Sequence, residues 1–352
     1  MRSRPLAILA IASVTVIACV AVWSMRSPPV SPPATRTEFA GATMGGPWSV
    51  KFPAAPPDAT LERRVADELA QLDGDLSLWR PESALSQFNR QTSTDWTPVP
   101  ADVARAVAIA REISEMSGGA FDVTIAPAVD LWGFGPAASP AREGRPPTAP
   151  EIAAVLARVD YRQLDAREDP PALRKRRPDV RIDLGAIGKG YAADRVAAIL
   201  DQAGANDSLI AVGGELRARG RAADGRPWRV GVETPVPDVR RVLLAVELPS
   251  GTGLSTSGDY RNFLDVAGHR LSHEIDPRTA RPIPAARGPA LVSVIHESNA
   301  RADAWATALF VLGPDEGYAL AIKLNLAALF VTRGDGKFET RMTPGFEKCL
   351  AQ

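Results

Sequence analysis

The chain has 352 residues, 45% of them apolar and 23% charged, a globular composition with enough apolar material for a substantial core. Its 41 basic residues balance 41 acidic ones, so no long-range field recruits nucleic acid or another polyanion. The two cysteines, Cys19 and Cys349, lie at opposite ends, which argues against a disulfide framework and a thiolate metal site.

Arg2 and Arg4 precede a run without charge from Leu6 to Trp23. A positive start followed by a hydrophobic segment of this length exports a chain and nearly suffices to span a bilayer, so residues 1–26 are expected to be an export signal or membrane anchor. Val16-Ile17-Ala18-Cys19 resembles a lipobox with Cys19 as the lipidated residue, but Val20 to Trp23 stay apolar, which leaves an uncleaved single-helix anchor and full release as the alternatives. Residues 27–36, SPPVSPPATR, read as a proline-rich tether. The folded body is expected over residues 37–352.

Trp48 to Phe52 alternates as a strand does, and Leu61 to Leu72 carries apolar residues at 61, 65, 69 and 72, the spacing of a helix. A second helix is predicted over Ala101–Met116, stopped by Gly118-Gly119. The five prolines between 136 and 150 mark a loop before a helix near Glu151–Val159, and the polar stretch Asp165–Asp179 with Arg174-Lys175-Arg176-Arg177 reads as a solvated loop. Val180–Leu184 reads as a strand feeding a turn at Gly185–Gly190 and a helix over Tyr191–Ala203. Strands follow at Ser208–Val212, Trp228–Glu233, Val242–Leu248 and Leu291–Ile295, with a helix over Ala302–Leu312. Strands and helices mix without regular βαβ alternation, which predicts an α+β fold.

Ser255-Thr256-Ser257-Gly258-Asp259-Tyr260 and His273-Glu274-Ile275-Asp276-Pro277-Arg278-Thr279 gather hydroxyls, carboxylates, an arginine and one of only three histidines, a segment that reads as too polar for a core strand. His273 beside Asp276 suits proton transfer or simple hydrogen bonding. Asp303 and Thr307, four apart on a predicted helix, share one face and offer hard oxygens suited to Mg²⁺; the alternative is that Asp303 caps the helix. The Asp183–Gly190 turn, ahead of a helix, suits a phosphate or is a tight turn with a surface lysine. Gly213-Gly214-Glu215 follows a strand and reads as a turn. Trp79 offers a flat face for a ring, or belongs to the core. Asp122 suits an acceptor or a brace for its turn better than acid/base work.

Those segments, together with Thr43-Met44-Gly45-Gly46, Leu78-Trp79-Arg80-Pro81-Glu82-Ser83 with Phe88-Asn89, Gly118–Thr124, Asp183–Tyr191 and Ala302–Thr307, resemble in order six blocks of the ApbE family of FAD:protein FMN transferases. The resemblance implies a mixed α+β fold of two intimately joined lobes. It implies an FAD site of Met44, Trp79, Ala120, Phe121, Asp122, Asp183, Lys189 and Glu274, and a Mg²⁺ site of Asp303, Thr307 and the Ala186 carbonyl. His273 would then be the base and Asp276 its orienting partner, with Arg278 clamping a phosphate or pairing with Asp276. The implied reaction transfers FMN to a threonine of a partner protein, an electron-transfer subunit, and releases AMP. The implied location is the periplasmic side of a bacterial inner membrane. Two other readings stay open: an FAD pyrophosphatase, and a flavin-carrying accessory protein, for which Gly41-Ala42-Thr43 matches the end of an acceptor site. Relatives read glycine where this chain has Ala280, so the turn there is expected to use a conformation that alanine accepts. Ala300 stands where some relatives carry a further acid. His269 and His296 are expected to be structural or exposed.

Overall fold

The computed structural model describes residues 37–137, 145–237, 240–261, 263–266 and 269–351. The expected export segment, the tether and Cys19 lie outside the described residues. An eight-stranded sheet organises the body. Its strands lie side by side in chain order, all pairs antiparallel: Thr37–Thr43, Gly46–Phe52, Ser208–Val212, Glu215–Arg219, Gly253–Gly258, Leu291–His296, Ala327–Arg333 and Phe338–Met342. Apart from the short helix Pro344–Glu347, which follows the last strand, the other described elements are inserted between these strands. The insertion before Ser208 holds helices Leu61–Leu76, Ala84–Arg90, Ala101–Met116, Ala126–Trp132, Ala149–Leu156 and Gly188–Gln202. A hairpin, Trp228–Glu233 with Val242–Leu248, precedes Gly253; a three-stranded sheet, Phe263–Val266, His269–Asp276 and Arg281–Pro284, precedes Leu291; and the helix Asn299–Lys323 precedes Ala327.

The side-chain period of two divides the sheet's apolar residues between two layers. Val50, Ile210, Val292, Val294, Ala328 and Phe330 pack with the helices, whereas Leu291, Ile295, Leu329 and Val331 pack with Trp228, Val230 and Val246 of the hairpin and with Phe346. Strands buried on both faces read as continuous apolar runs. This accounts for the apolar run Leu291–Ile295, interrupted only by Ser293.

Several expectations are corrected. The stretch expected as a solvated loop contains an antiparallel pair, Leu164–Glu168 with Pro171–Lys175. Its charges are matched across the strands: Asp165 accepts from both Arg174 and Arg176. Lys175 is buried with its ammonium over the Phe88 ring, donating to the carbonyls of Asn89 and Gln91 at the end of helix Ala84–Arg90, where a cation is favoured. Val180–Leu184 is not a strand. The Asn89 side chain takes the place of a ladder there, accepting from Ile182 N–H and donating to Ile182 C=O, both at 2.8 Å.

The Ser255 segment is a strand of the main sheet after all, because every hydroxyl is satisfied. Ser255 donates to Asn299, Thr256 pairs with Ser293 and Ser257 with Thr307. The helix expected over Ala302–Leu312 starts earlier and continues beyond a break at Gly313, whose φ of 82° precedes Pro314. Ala280 does not use a conformation that alanine favours: its φ is 51°. That strain, about 1–2 kcal/mol, is held by its full burial against Trp132 and Ile275 and by the Trp132 indole N–H donating to its carbonyl at 2.8 Å.

Candidate active site

The site begins where two helices touch. Gly190, in the first turn of Gly188–Gln202, lies so close to Asn299–Lys323 that a Cβ there would meet the Asn299 carbonyl oxygen at 2.2 Å and Asp303 Cβ at 2.8 Å. The bare glycine lets its N–H reach Asp303 Oδ2 at 3.0 Å. Asp303 is buried; desolvation, then the Glu215 charge, push its carboxyl well above the usual range, opposed by Lys189 and the Gly190 N–H. One turn further along, Thr307 Oγ1 is 2.9 Å from Ser257 Oγ.

Lys189 stands beside Gly190. Its ammonium is 2.8 Å from Glu215 Oε1, and the charges of Glu215, Asp303 and Glu274 raise its pKa further above that of an ordinary lysine. The other oxygen of Glu215 is buried without a hydrogen-bond partner. Three carboxylates thus share one lysine, and the cluster favours an additional cation.

These groups line a cavity of about 770 Å³ together with Ala186, Trp79, Ala120, Phe121, Asp122, Asp183, His273 and Glu274. A second volume of about 430 Å³, which includes Met44, adjoins it and shares Trp79, Phe134, Asp183, Gly185 and Lys189. The pair of spaces suits a ligand with two ends. Trp79 is not core: it is 70% exposed and lines both spaces. Met44 and Gly45 form a two-residue turn between the paired residues Thr43 and Gly46, both with positive φ, 48° and 75°. That is the turn of a tight hairpin, and a methionine at its first position is strained where it borders the cavity.

Asp122 braces its turn, accepting from Thr124 N–H and Oγ1 at 2.7 Å and from Tyr161 N–H at 2.8 Å. Burial nevertheless pushes its carboxyl up to about 6. Asp183 accepts from Gly185 N–H at 2.7 Å, fixing the turn that leads to Lys189. His273, half-buried on the strand His269–Asp276, sets its ring edge-to-face with Phe134, centroids 6.2 Å apart, and its Nε2 is 3.7 Å from Glu274 Oε1. Asp276 is not brought into the cavity with these residues. Its oxygens receive the Arg278 backbone N–H, Nε and Nη2, each at 2.9 Å, so Arg278 pairs with Asp276 within the turn.

Asp303 and Thr307 bring a carboxylate and a hydroxyl to a cavity that Ala186, with its main-chain oxygen, also lines. Hard oxygen donors beside uncompensated negative charge fit Mg²⁺. Two contributors went unread in the sequence. Glu215 reads as part of a glycine turn, and its burial depends on a strand pairing that no local pattern announces. Phe134 is one aromatic residue in a proline-rich stretch, and only the fold brings it against His273.

The fold and the cavity together define a two-part site in which a lysine and hard oxygen donors converge beside an exposed tryptophan. The chain belongs to the ApbE family, whose model matches residues 44–330. It is 37% identical over 327 residues to an FAD:protein FMN transferase of Klebsiella pneumoniae (strain 342), covering 92% of this chain and 91% of that protein. It is 36% identical over 318 residues to the FAD:protein FMN transferase of Escherichia coli (strain K12), covering 89% of each. Among solved structures, the flavin transferase ApbE from Vibrio cholerae is similar with a TM-score of 0.81 at 34% identity, over 90% of this chain and 100% of that one. The apo form of the Pseudomonas stutzeri flavinyl transferase ApbE gives 0.78 at 38% identity, over 89% and 96%.

Proposed function

We propose that this protein transfers FMN from FAD to the hydroxyl of a threonine in a partner protein, one that serves electron transfer, and releases AMP. The observation that carries the reading is that Lys189, Asp303, Thr307, Ala186 and His273 line one cavity, in a chain of the ApbE family. FAD spans the two adjoining spaces, and Trp79 supplies a face for a stacked ring. Lys189 sets a point charge against the pyrophosphate. Asp303, Thr307 and the Ala186 carbonyl would hold Mg²⁺, which supplies charge neutralisation to a bound pyrophosphate. His273 takes the proton as the acceptor oxygen bonds to the FMN phosphorus; the bond from that phosphorus to the bridging oxygen breaks, and AMP departs with the electron pair. Arg2, Arg4 and the run Leu6–Trp23 support export and retention at the periplasmic face of a bacterial inner membrane.

Thr43 is a poor acceptor in the protein itself: it is buried and its hydroxyl donates to the Leu69 carbonyl at 3.2 Å. The test is to incubate the full-length protein in detergent with FAD, Mg²⁺ and a domain bearing an acceptor threonine. The expected result is the mass of one FMN on the domain with equimolar AMP. AMP and free FMN without labelled domain would make the protein a pyrophosphatase instead, and no turnover at all would end the reading.

A further inference from the structure

Lys189, Glu215 and Asp303 stand on three elements: the helix Gly188–Gln202, the strand Glu215–Arg219 and the helix Asn299–Lys323. The same three elements meet a second time around Asp194, at side chains that do not line either space of the cavity. Asp194 Oδ1 accepts the Asn299 N–H at 2.9 Å and is 2.9 Å from Arg217 Nη1. Oδ2 accepts the Ala300 N–H at 3.0 Å and the Ser298 hydroxyl at 2.8 Å. Arg217, two residues beyond Glu215 on the strand, also donates to the Glu297 carbonyl at 2.7 Å. The charges are inverted between the two meeting points. At the cavity the helix brings lysine and the strand glutamate; at the second point the helix brings aspartate and the strand arginine.

The first N–H groups of a helix have no partner within it, and a carboxylate satisfies them best. Asp194 does this for Asn299–Lys323 from a neighbouring helix. In return, Asp303 accepts the Gly190 N–H from the first turn of the helix that carries Asp194. Each helix therefore holds the other's start, Asp194 from five residues beyond Lys189 and Asp303 as a site residue itself. Sliding or turning either helix breaks bonds at both points, and with them the spacing of the lysine from the oxygen donors.

We propose that Asp194 is a positioning residue. With Arg217 it fixes the separation of Lys189 from Asp303 and Thr307, and thereby the fit of the site to a divalent cation. This rests on the reading of Asp303 and Thr307 as cation ligands. The probe is Mn²⁺, titrated by the paramagnetic resonance of the free ion into the full-length protein in detergent, without FAD. Asp194→Asn keeps the size of the side chain but leaves only one oxygen to accept, and binding is expected to weaken ~10-fold, the scale of outer-shell effects on metal sites. Arg217→Met, which leaves the helix start capped, is expected to move affinity in the same direction by a smaller factor, and it carries the test alone if Asp194→Asn does not fold. Val65→Ala, in the buried face of helix Leu61–Leu76, serves as a destabilised control whose Mn²⁺ affinity should stay at wild type.

Affinity within twofold of wild type in both node variants would overturn the proposal, as would a loss equal to that of Val65→Ala at matched melting temperature. Asp303→Asn is the separate arm. Mn²⁺ binding that survives it would end the cation reading itself, whatever Asp194 does.

Discussion

The Lys189 ammonium is 2.8 Å from a carboxylate oxygen of Glu215 whose other oxygen is buried with no hydrogen-bond partner. If Lys189 meets a phosphate, as proposed, it is already paired before the ligand arrives, and Glu215 sets a negative charge against that anion. At a separation of about 8 Å and an effective dielectric near 20, one charge is worth about 2 kcal/mol. Glu215→Gln is therefore expected to tighten FAD binding roughly thirtyfold in EDTA, and to weaken the added benefit of Mg²⁺. Flavin fluorescence titrations with and without Mg²⁺ measure both. Weaker FAD binding in EDTA would mean that Glu215 matters by aiming the lysine, and that its charge is secondary.

Met44 borders the cavity in a left-handed conformation that asparagine or glycine adopts more easily. Met44→Asn should raise stability by up to about 1 kcal/mol through relief of that strain. It should also lower FAD affinity, because an apolar contact is lost. Thermal melts and FAD titration read the two effects separately. A variant with lower stability would show that the methionine side chain contributes more by packing than its backbone costs.

Asp122 gives a pH dependence with a definite sign. Its folded pKa, raised by burial to about 6 from 3.8, exceeds the unfolded value, so the fold favours the protonated group. The stability this group contributes is full below about pH 4 and is lost as pH rises through 6, a swing of about 3 kcal/mol from the size of the shift. Asp122→Asn removes the titration and leaves the Tyr161 N–H facing an amide donor, a pH-independent cost of about 1–3 kcal/mol. Urea midpoints at pH 4.5 and 7.5 should therefore converge between the two proteins as pH rises. A difference that stays constant across the range would show that Asp122 is ionised throughout.

The cavity residues that the sequence makes legible are those whose neighbours in the chain already constrain them. Gly190 is bare because a helix passes 2.2 Å from where its Cβ would stand, so the Asp183–Tyr191 block carries its own structural reason. Asp303 and Thr307 share a face by helical period alone. The strands Trp228–Glu233 and Val242–Leu248 have the bounds expected of their strand-like runs. The misreadings have a common cause. Ser255, Thr256 and Ser257 look unsuited to a central strand until Asn299, Ser293 and Thr307, each more than thirty residues away in the chain, take up their hydroxyls. Lys175 and Asp165 read as solvated because their partners come from another helix and another strand. Asp276 illustrates the reverse error: it is near His273 in sequence, yet Arg278 occupies its oxygens.

With Asp276 committed to its own turn, the carboxylate beside the imidazole is Glu274, whose Oε1 is 3.7 Å from His273 Nε2. If His273 removes the proton from the acceptor threonine, His273→Ala should depress transfer by about 10²–10⁴-fold with FAD affinity nearly unchanged, since the lost interaction matters in the transition state. Glu274→Gln should cost less, because the base remains and only its charged neighbour is removed. The Phe134 ring, packed edge-on against the imidazole, offers a control: Phe134→Leu loosens the ring without removing the base and should change the rate by less than tenfold. The measurement is kcat against pH for the wild type and the three variants, alongside FAD titration. In His273→Ala the acidic limb of the profile should vanish. A variant that keeps that limb, or whose loss of rate is matched by a loss of FAD affinity, would remove His273 as the base and leave the acceptor hydroxyl to lose its proton to solvent or to the departing phosphate.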